Sequence, residues 1–375
     1  MAIFIYLTLL SFGPYSYGQS LPTYPAFKTA KNPSNIQEDM TIKNMPPIRS
    51  QDGLNICYAE VAATLLQAEN CKATNTQCDS LSDKDTFSSI DLTRFMVTSD
   101  NAISSIRSSY GGLNFKSGGS AANIVSIMIN KVKKGASEEC ASLDKILSKM
   151  HSRNESEEAQ TAMWARMEKY YTDAKNCSTC LSNIYATAKD DIDRNLNLRT
   201  TNEEVLKAFS EETFEKFLDQ LLGTEKCKKI SDMVFFEGVD MEVGIFPKSG
   251  QSPSLRQLKE KTKEILKLGR PLALENICID LKTGSKAPNC SDIDAPCLAK
   301  SPAAQCDKDL RHSVAIAGYR KVCKQPNDCK ELFKVVNSWG KSWQEQNNDG
   351  WVEANNLLEH VSMEPGVLSW IQDKN

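Results

Sequence analysis

Apolar positions follow a helical period in the front of the chain and a strand-like pattern in its tail. Residues 57–67 contain no Gly or Pro and carry apolar residues four positions apart, and residues 121–132 predict another buried helix. Residues 255–268 form an amphipathic run that ends before Gly269 and Pro271, a common order after a helix. Short apolar runs that predict strands follow at residues 272–279, 314–317 and 332–336. The pattern as a whole predicts an α+β fold.

A long stretch of helical pattern, residues 135–245, separates the front from the tail. It is rich in Lys, Glu, Ala and Leu, and its apolar residues recur three and four positions apart. We interpret it as an inserted region of several amphipathic helices. The apolar positions behind this interpretation are Leu143, Ile146, Leu147, Met150, Trp164, Met167, Tyr171, Val205, Phe209, Phe214, Phe217, Leu218 and Leu221.

The composition narrows the class of protein. The 375 residues are 40% hydrophobic, which is enough for a substantial core, and 45 Lys and Arg nearly balance 48 Asp and Glu. A nucleic-acid-binding protein would carry a clustered basic surplus, so no nucleic-acid partner is expected. No apolar run is long enough to predict a transmembrane segment. The oligomeric state stays open.

The first 18 residues resemble a signal peptide. Their apolar stretch is too short to span a bilayer, and small residues at Ser16 and Gly18 suit a cleavage site. Cleavage after Gly18 would leave residues 19–50 as a polar, extended lead-in. We therefore expect a secreted or periplasmic protein. An uncleaved anchor or a buried N-terminal segment is the alternative.

The 13 cysteines fit an oxidising compartment, where disulfide bonds form. Because the number is odd, at least one thiol stays unpaired. Cys323 and Cys329 flank a turn between two predicted strands and are expected to pair, and Cys71 with Cys78 is a second expected pair. The insertion holds an even number of cysteines, which either pair among themselves or bind zinc as four thiolates. They are Cys140, Cys177, Cys180 and Cys227.

Three segments combine residue types that suit thiol chemistry. Residues 51–59 read QDGLNICYA and place Cys57 at the start of a predicted helix, where the positive end of the helix dipole favours a thiolate. Residues 311–319 read RHSVAIAGY and contain His312, one of only three histidines in the chain. The third segment, residues 335–343, reads VVNSWGKSW.

These segments, in this order, resemble the motifs of the papain-like cysteine peptidases. In that family a Gln precedes the nucleophilic Cys by six positions, as Gln51 precedes Cys57. The family's His opens a strand of the form H-[AS]-V-x-x-x-G-Y, which His312 opens in this chain. Its Asn opens the turn N-S-W-G-x-x-W, which Asn337 opens here. Three motifs in this order and with these spacings make the resemblance to this family specific.

The resemblance covers roughly residues 40–135 and 250–360, and the chain departs from the family in several places. Leu54 stands where the family has a structural Cys, and Gln344 stands where Gly is common. The lead-in leaves no room for the long inhibitory propeptide of many relatives. Residues 135–245 match no part of the family pattern.

The resemblance implies a role for each matched residue. Cys57 would attack a peptide carbonyl to form a thioester, while His312 would take the thiol proton and later protonate the leaving amine. Asn337 would hold the imidazole in its orientation. The side-chain amide of Gln51 and the backbone N–H of Cys57 would form the oxyanion hole. Such a reaction needs no metal and no organic cofactor.

The resemblance also implies residues that contact the substrate. Gly118 and Gly119 match the family's Gly-Gly strip, where bare backbone pairs with an extended peptide, and residues 111–112 are the competing candidate. Trp339 would shield the hydrogen bond between the Asn and the His from water. Trp343 would form the wall on the leaving-group side.

The implied fold has two lobes with the cleft between them. A helical lobe, residues 51–134, would carry the nucleophile, and a β-barrel-like lobe, residues 246–375, would carry the His and the Asn. Two interpretations of residues 135–245 stay open: the insertion covers or shapes the cleft, or it is a solvated outgrowth without a role in the reaction.

The expected function is hydrolysis of peptide bonds in a polypeptide substrate by a cysteine endopeptidase. One alternative is a secreted Cys-His amidase or transpeptidase that acts on cell-wall or isopeptide bonds. Another is an inactive homologue that only binds peptides. The intact set of Cys57, His312, Asn337 and Gln51 argues against the inactive form, because decay usually removes one of them.

Overall fold

The computed structural model describes residues 35–96, 110–116, 118–177, 179–198, 200–278, 311–325 and 327–374. The predicted signal peptide lies outside these residues, as do Cys290, Cys297 and Cys306. The described part is mixed α+β, as expected. Its α-helices are α1 (Cys57–Ala73), α2 (Ser89–Leu92), α3 (Ala121–Ile127), α4 (Leu143–Ser152), α5 (Glu157–Asn176), α6 (Leu181–Asn195), α7 (Asn202–Ser210), α8 (Phe214–Leu222), α9 (Leu255–Lys267), α10 (Gly340–Gln346) and α11 (Ala354–Glu359). Its strands are β1 (Ile36–Asp39), β2 (Lys134–Ala136), β3 (Met233–Phe235), β4 (Met241–Phe246), β5 (Leu272–Cys278), β6 (Arg311–Gln325), β7 (Asp328–Val336), β8 (Trp351–Glu353) and β9 (Leu368–Asp373).

Helix α1 is the central helix of the front part of the chain. Every residue from Cys57 to Cys71 is buried, so this part of the helix has no solvent-exposed face, and it packs against α2, α3 and the sheet. The helix predicted for residues 57–67 is confirmed and continues to Ala73. Several alanines along α1 let its neighbours approach closely, because their side chains end at Cβ.

The tail folds into an antiparallel sheet with the strand order β4-β9-β5-β6-β7-β8, and β1 of the lead-in also pairs with β6. The strands predicted at residues 272–279, 314–317 and 332–336 are β5, β6 and β7. Among the described residues the two edge strands, β4 and β8, do not pair with each other, so no barrel closes. The expected β-barrel-like lobe is therefore an open sheet. Strand β8 is only three residues long and leads directly into α11, which leaves no ladder for closure.

Alternation along β5 and β6 gives the sheet two different faces. Ala273 and Ala315 belong to the core that contains α1, whereas Leu274 and Val314 belong to a second core with α9 and α11. The small residues on the first face let α1 lie close to the sheet. As a result, α1 packs against β6, the strand that carries His312.

Residues 135–245 contain the five helices α4 to α8 among the described residues, so the prediction of several inserted helices is confirmed. The segment begins and ends in strands, which the sequence pattern did not indicate. Strands β2 and β3 pair antiparallel, with Lys134 opposite Phe235, and β4 then joins the main sheet beside β9. Strand β2 has only three residues, too few to show a period along the sequence.

Four disulfides cross-link the described residues. Cys71–Cys78 and Cys323–Cys329 pair as expected, and the four cysteines of the insertion pair among themselves as Cys140–Cys227 and Cys177–Cys180. Within the described part of the chain Cys57 is the free cysteine. Since disulfides persist in oxidising compartments, the four bonds fit an extracellular protein. None of the described helices combines the length and the apolar character that crossing a membrane requires.

Candidate active site

Cys57 lies at the first position of α1, directly against the start of β6. Its thiol is buried, with 8% of the residue exposed, and lies next to the backbone N–H and the hydroxyl of Ser313. Burial raises the pKa of the thiol to about 11, while the N–H groups of Ser313 and Tyr58 act in the opposite direction. The carboxylate of Glu275 also favours the neutral thiol. In this arrangement the thiol holds its proton at neutral pH.

His312, the residue before Ser313, forms a direct hydrogen bond with Asn337. The distance from His312 Nε2 to Asn337 Oδ1 is 2.7 Å, and the backbone N–H of Ser338 donates to the same oxygen over 2.9 Å. Because a backbone N–H can only donate, the shared atom is the amide oxygen, and His312 Nε2 must carry a proton. In the neutral ring Nδ1 is then the basic nitrogen, free of a proton.

The strand ladder explains why these two side chains meet. Strands β6 and β7 are antiparallel, with Ala315 opposite Val336, so the chain just beyond β7 runs past the start of β6. Asn337 is the first residue after β7, and His312 is the second residue of β6. Both are buried. Burial lowers the pKa of His312 to about 4, although its hydrogen bond to Asn337 acts in the opposite direction.

One indole ring stacks on the imidazole, and a second indole packs against the first. Trp339 stacks on His312 with 4.9 Å between ring centroids, and Trp343 meets Trp339 edge-to-face at 5.7 Å. Shielding of the hydrogen bond between His312 and Asn337 by Trp339 stays a prediction. Trp343 supports Trp339, and nothing in the structure tests the expected wall on the leaving-group side.

Gln51 is tied to the same turn. Its backbone N–H donates to Ser338 O over 2.8 Å, and its side-chain oxygen accepts from the Ser338 hydroxyl over 2.5 Å. The side-chain Nε2 donates one hydrogen to Leu54 O over 2.8 Å, which leaves its second N–H for another acceptor. Cys57 starts a helix, so its backbone N–H has no acceptor one turn earlier. These are the two donors expected for an oxyanion hole.

Sequence reasoning missed Gln344, which buttresses the Asn337 turn. Its buried amide donates to Val335 O over 2.7 Å and to Asp349 O over 2.9 Å. The comparison with the papain-like motif noted Gln344 only as a residue that stands where Gly is common. Ser338 was also missed as a link between Gln51 and Asn337, although it stands inside the N-S-W-G motif, which was the signal that could have revealed it.

The predicted Gly118–Gly119 strip lies against helix α1. Gly118 adopts a left-handed φ of 62°, and a Cβ on the exposed Gly119 would lie 2.5 Å from the ring of Tyr58, the residue after Cys57. Pairing of this strip with a substrate stays a prediction. Gly112 has a different reason to be glycine, because a Cβ there would overlap the backbone of Glu215.

Glu275 is a further buried group that the sequence did not single out. Its carboxyl accepts from the Ser120 hydroxyl over 3.1 Å and from the Ala121 backbone N–H, just beyond the Gly118–Gly119 strip. Burial raises the pKa of Glu275 to about 7, against hydrogen bonds that favour the carboxylate. The group connects β5 with the start of α3.

Arg311, the cation next to His312 in sequence, is engaged elsewhere. Its guanidinium forms an ion pair with Glu364 over 2.7 Å and contacts Asn276 Oδ1 at 3.4 Å. The lowered pKa of His312 has burial as its cause, not this charge.

One group of described side chains offers ligand atoms of the kind that metals prefer. Atoms of Asp52, Asp144 and His151 all lie within 4.8 Å of one another. Asp144 is exposed, and His151 Nε2 already contacts Asp52 Oδ1 at 3.2 Å. The pair of His151 and Asp52 explains this arrangement without an ion.

The four residues singled out for catalysis thus lie in one connected site. A chain of hydrogen bonds runs from Gln51 through Ser338 to Asn337 and His312, and the thiol of Cys57 lies against Ser313. The amide nitrogen of Asn337 is buried without a hydrogen-bond partner among the described residues. Such a buried donor costs stability, a cost more typical of functional sites than of cores.

A scan of protein-family models and a search of curated proteins both found no match to this chain.

Proposed function

We propose that the protein is a papain-like cysteine peptidase that hydrolyses peptide bonds through a thioester on Cys57. The observation that carries the proposal is the hydrogen-bond chain that orients His312 while a free thiol at the first position of α1 lies against the adjacent residue Ser313. This is the constellation of nucleophile, base and orienting group that acyl transfer requires.

The protonation states define how the attack begins. With the thiol pKa raised and the imidazole pKa lowered by burial, both groups are neutral near pH 7. His312 Nδ1 therefore acts as a general base and takes the proton of Cys57 as its sulfur attacks the carbonyl carbon. The tautomer fixed by Asn337 presents the lone pair that this step needs.

The remaining steps follow from conservation of protons and electrons. The carbonyl oxygen gains negative charge, which the Gln51 side chain and the Cys57 backbone N–H stabilise. The protonated imidazole of His312 then donates its proton to the leaving amine as the C–N bond breaks, which leaves a thioester. Water, deprotonated by the same imidazole, releases the acid and restores the thiol.

Export is part of the proposal. The disulfides support an oxidising compartment, and residues 1–18 have the pattern of a cleaved signal. A polypeptide outside the cytosol is accordingly the proposed substrate.

The test is the intact mass of the mature protein after treatment with a peptidyl epoxide at about pH 6. Ordinary thiols react slowly at this pH, whereas a thiol whose proton is taken by His312 during attack still reacts. We expect a single adduct, absent from Cys57→Ala, together with cleavage of an unstructured peptide substrate. His312→Ala should lose both reactions. The matched control is His360→Ala, because His360 only contacts Asn356 O at the end of α11.

An adduct that persists in Cys57→Ala, or a folded wild-type protein that neither forms an adduct nor cleaves any peptide, would refute the proposal. Transfer of the acyl group to an added amine in preference to water would indicate the transpeptidase alternative instead.

A further inference from the structure

The insertion contacts the turn between the two groups of the proposed oxyanion hole. This turn, Asp52–Gly53, follows Gln51 directly. The backbone N–H of Gly53 donates to Gln160 Oε1 over 2.8 Å, and the hydroxyl of Thr161 donates to Gly53 O over 3.0 Å. Both polar backbone groups of Gly53 are thus satisfied by side chains of α5, more than a hundred positions away in sequence.

The packing between α5 and this turn leaves no spare space. A Cβ on Gly53 would lie 2.5 Å from Glu157 O and 2.9 Å from Gln160 Cβ, closer than real side chains approach. Gln160 is only 2% exposed. The turn therefore cannot move toward α5, and movement away breaks two hydrogen bonds.

Helix α4 holds the other residue of the turn. His151 Nε2 lies 3.2 Å from Asp52 Oδ1, and Asp52 adopts a left-handed φ of 48° that non-glycine residues rarely take. Such a conformation persists only where the surroundings hold it. On the opposite side, Ser338 fixes the backbone and the side chain of Gln51.

We propose that Gln160 and Thr161 are positioning residues that hold the Asp52–Gly53 turn, and through it the Gln51 amide, in the geometry that stabilises the oxyanion. The inference rests on the proposed peptidase function and extends it, because it makes the insertion a working part of the site. Of the two interpretations of the insertion, it specifies how the segment would shape the site and opposes a solvated outgrowth without a role.

The experiment compares kcat and KM for a peptide substrate with the rate at which iodoacetamide alkylates Cys57. Gln160→Ala should lower kcat by about tenfold to a hundredfold, below the full loss of an oxyanion donor. KM and the alkylation rate should stay within about twofold of wild type, because alkylation of a thiol creates no oxyanion.

Thr161→Val and Thr172→Val form a matched pair on α5. Thr161→Val removes one hydroxyl without changing the volume and should lower kcat by several-fold, whereas Thr172→Val changes an exposed position and should leave kcat within about twofold of wild type. This pair decides the question even if Gln160→Ala does not fold.

A double-mutant cycle separates an indirect role from an independent one. If Gln160 acts through Gln51, the Gln51→Ala/Gln160→Ala variant should lose little more kcat than Gln51→Ala alone. Multiplying losses, or wild-type kcat in both Gln160→Ala and Thr161→Val, would overturn the inference. Failure of the proposed function has a different signature, since the wild-type protein itself would then show no turnover.

Discussion

The imidazole side and the oxyanion side of the site are held in different ways. His312 and Asn337 lie on adjacent antiparallel strands, whose backbone ladder brings them together. Gln51 lies on a turn, and side chains from distant segments, Ser338 and Gln160 among them, hold that turn. A pair fixed by a ladder tolerates changes elsewhere in the protein. A donor on a turn depends on each of its supports, so we expect the two sides to respond differently to mutation.

The largest effect on kcat should come from the imidazole side of the site. His312→Ala removes the general base and acid, and we expect kcat to fall by about 10²–10⁴-fold with little change in the unfolding midpoint. Steady-state hydrolysis and urea denaturation measure the two quantities. A loss of less than about tenfold in kcat would contradict the role assigned to the imidazole.

Gln51 should come next. Gln51→Ala and Gln51→Glu both remove the N–H donor, and we expect kcat to fall by about 10²–10³-fold in each. Gln51→Glu keeps an oxygen for the Ser338 hydroxyl, so it serves as the structural control. If Gln51→Glu retained wild-type kcat, the donor would have no part in the reaction, and the oxyanion side would be structural only.

Glu275, which links β5 to the start of α3, predicts a dependence of stability on pH. Its pKa is about 7 in the folded protein and near 4.5 when unfolded. Below pH 4.5 both states are protonated, and the full stability is present. As pH rises from 4.5 to 7 the unfolded chain ionises first, so the free energy of unfolding falls and stays lower above pH 7.

The gap between the two pKa values of Glu275 corresponds to about 3 kcal/mol. Glu275→Gln cannot ionise and should lack this part of the decrease. Urea denaturation of wild type and variant at about pH 4.5 and about pH 8 gives the comparison. Equal decreases in both proteins would mean that Glu275 is already ionised in the folded state.

A variant of Gln344 tests whether the β6–β7 ladder alone holds Asn337 on the imidazole side. Gln344→Ala leaves Val335 O and Asp349 O without their donor, and we expect the free energy of unfolding to fall by about 2 kcal/mol. If the ladder alone holds Asn337, kcat should fall by less than in Gln51→Ala. A larger loss of kcat than in Gln51→Ala would reverse the contrast between the two sides.

The smallest effect should come from the exposed contact between the insertion and the front of the chain. Lys116 and Glu168 form an ion pair over 2.7 Å, with side chains that are 73% and 37% exposed. Glu168→Gln should change the free energy of unfolding by less than about 0.5 kcal/mol. A larger change, measured by urea denaturation at low and high salt, would mean that surface charge rather than buried amides attaches the insertion.

The sequence predicted the elements whose signal is local. Helix α1, helix α9, strands β5 to β7 and the insertion helices each have a periodic pattern, and the motifs around Cys57, His312 and Asn337 are contiguous. The open sheet was not predictable in the same way. A barrel closes only if β4 and β8 pair, and the sequence pattern of a strand does not indicate which strand lies next to it.

The supports of the site also escaped the sequence. Gln160 and Gly53 are far apart in the chain, and nothing in a Gln on a helix or a Gly in a loop indicates a hydrogen bond between them. Glu275 is one carboxyl in a predicted strand, and only its burial distinguishes it. Sequence reasoning found the groups proposed to do the chemistry, and Asn337 as the residue that orients the imidazole, but not the residues that hold the Gln51 turn, since that support depends on contacts between distant segments.

The β2–β3 pairing has a consequence for how such a protein can arise. Antiparallel neighbours lie about 4.8 Å apart, so the chain leaves the front part at Lys134 and returns beside it at Phe235. The Cys140–Cys227 disulfide joins the two ends again. A segment with its ends side by side can be gained or lost in one genetic event without displacing the host strands. Once α5 contacts Gly53, however, such a loss would remove two hydrogen bonds from the Gln51 turn, and the role proposed for Gln160 would then make an acquired segment hard to lose.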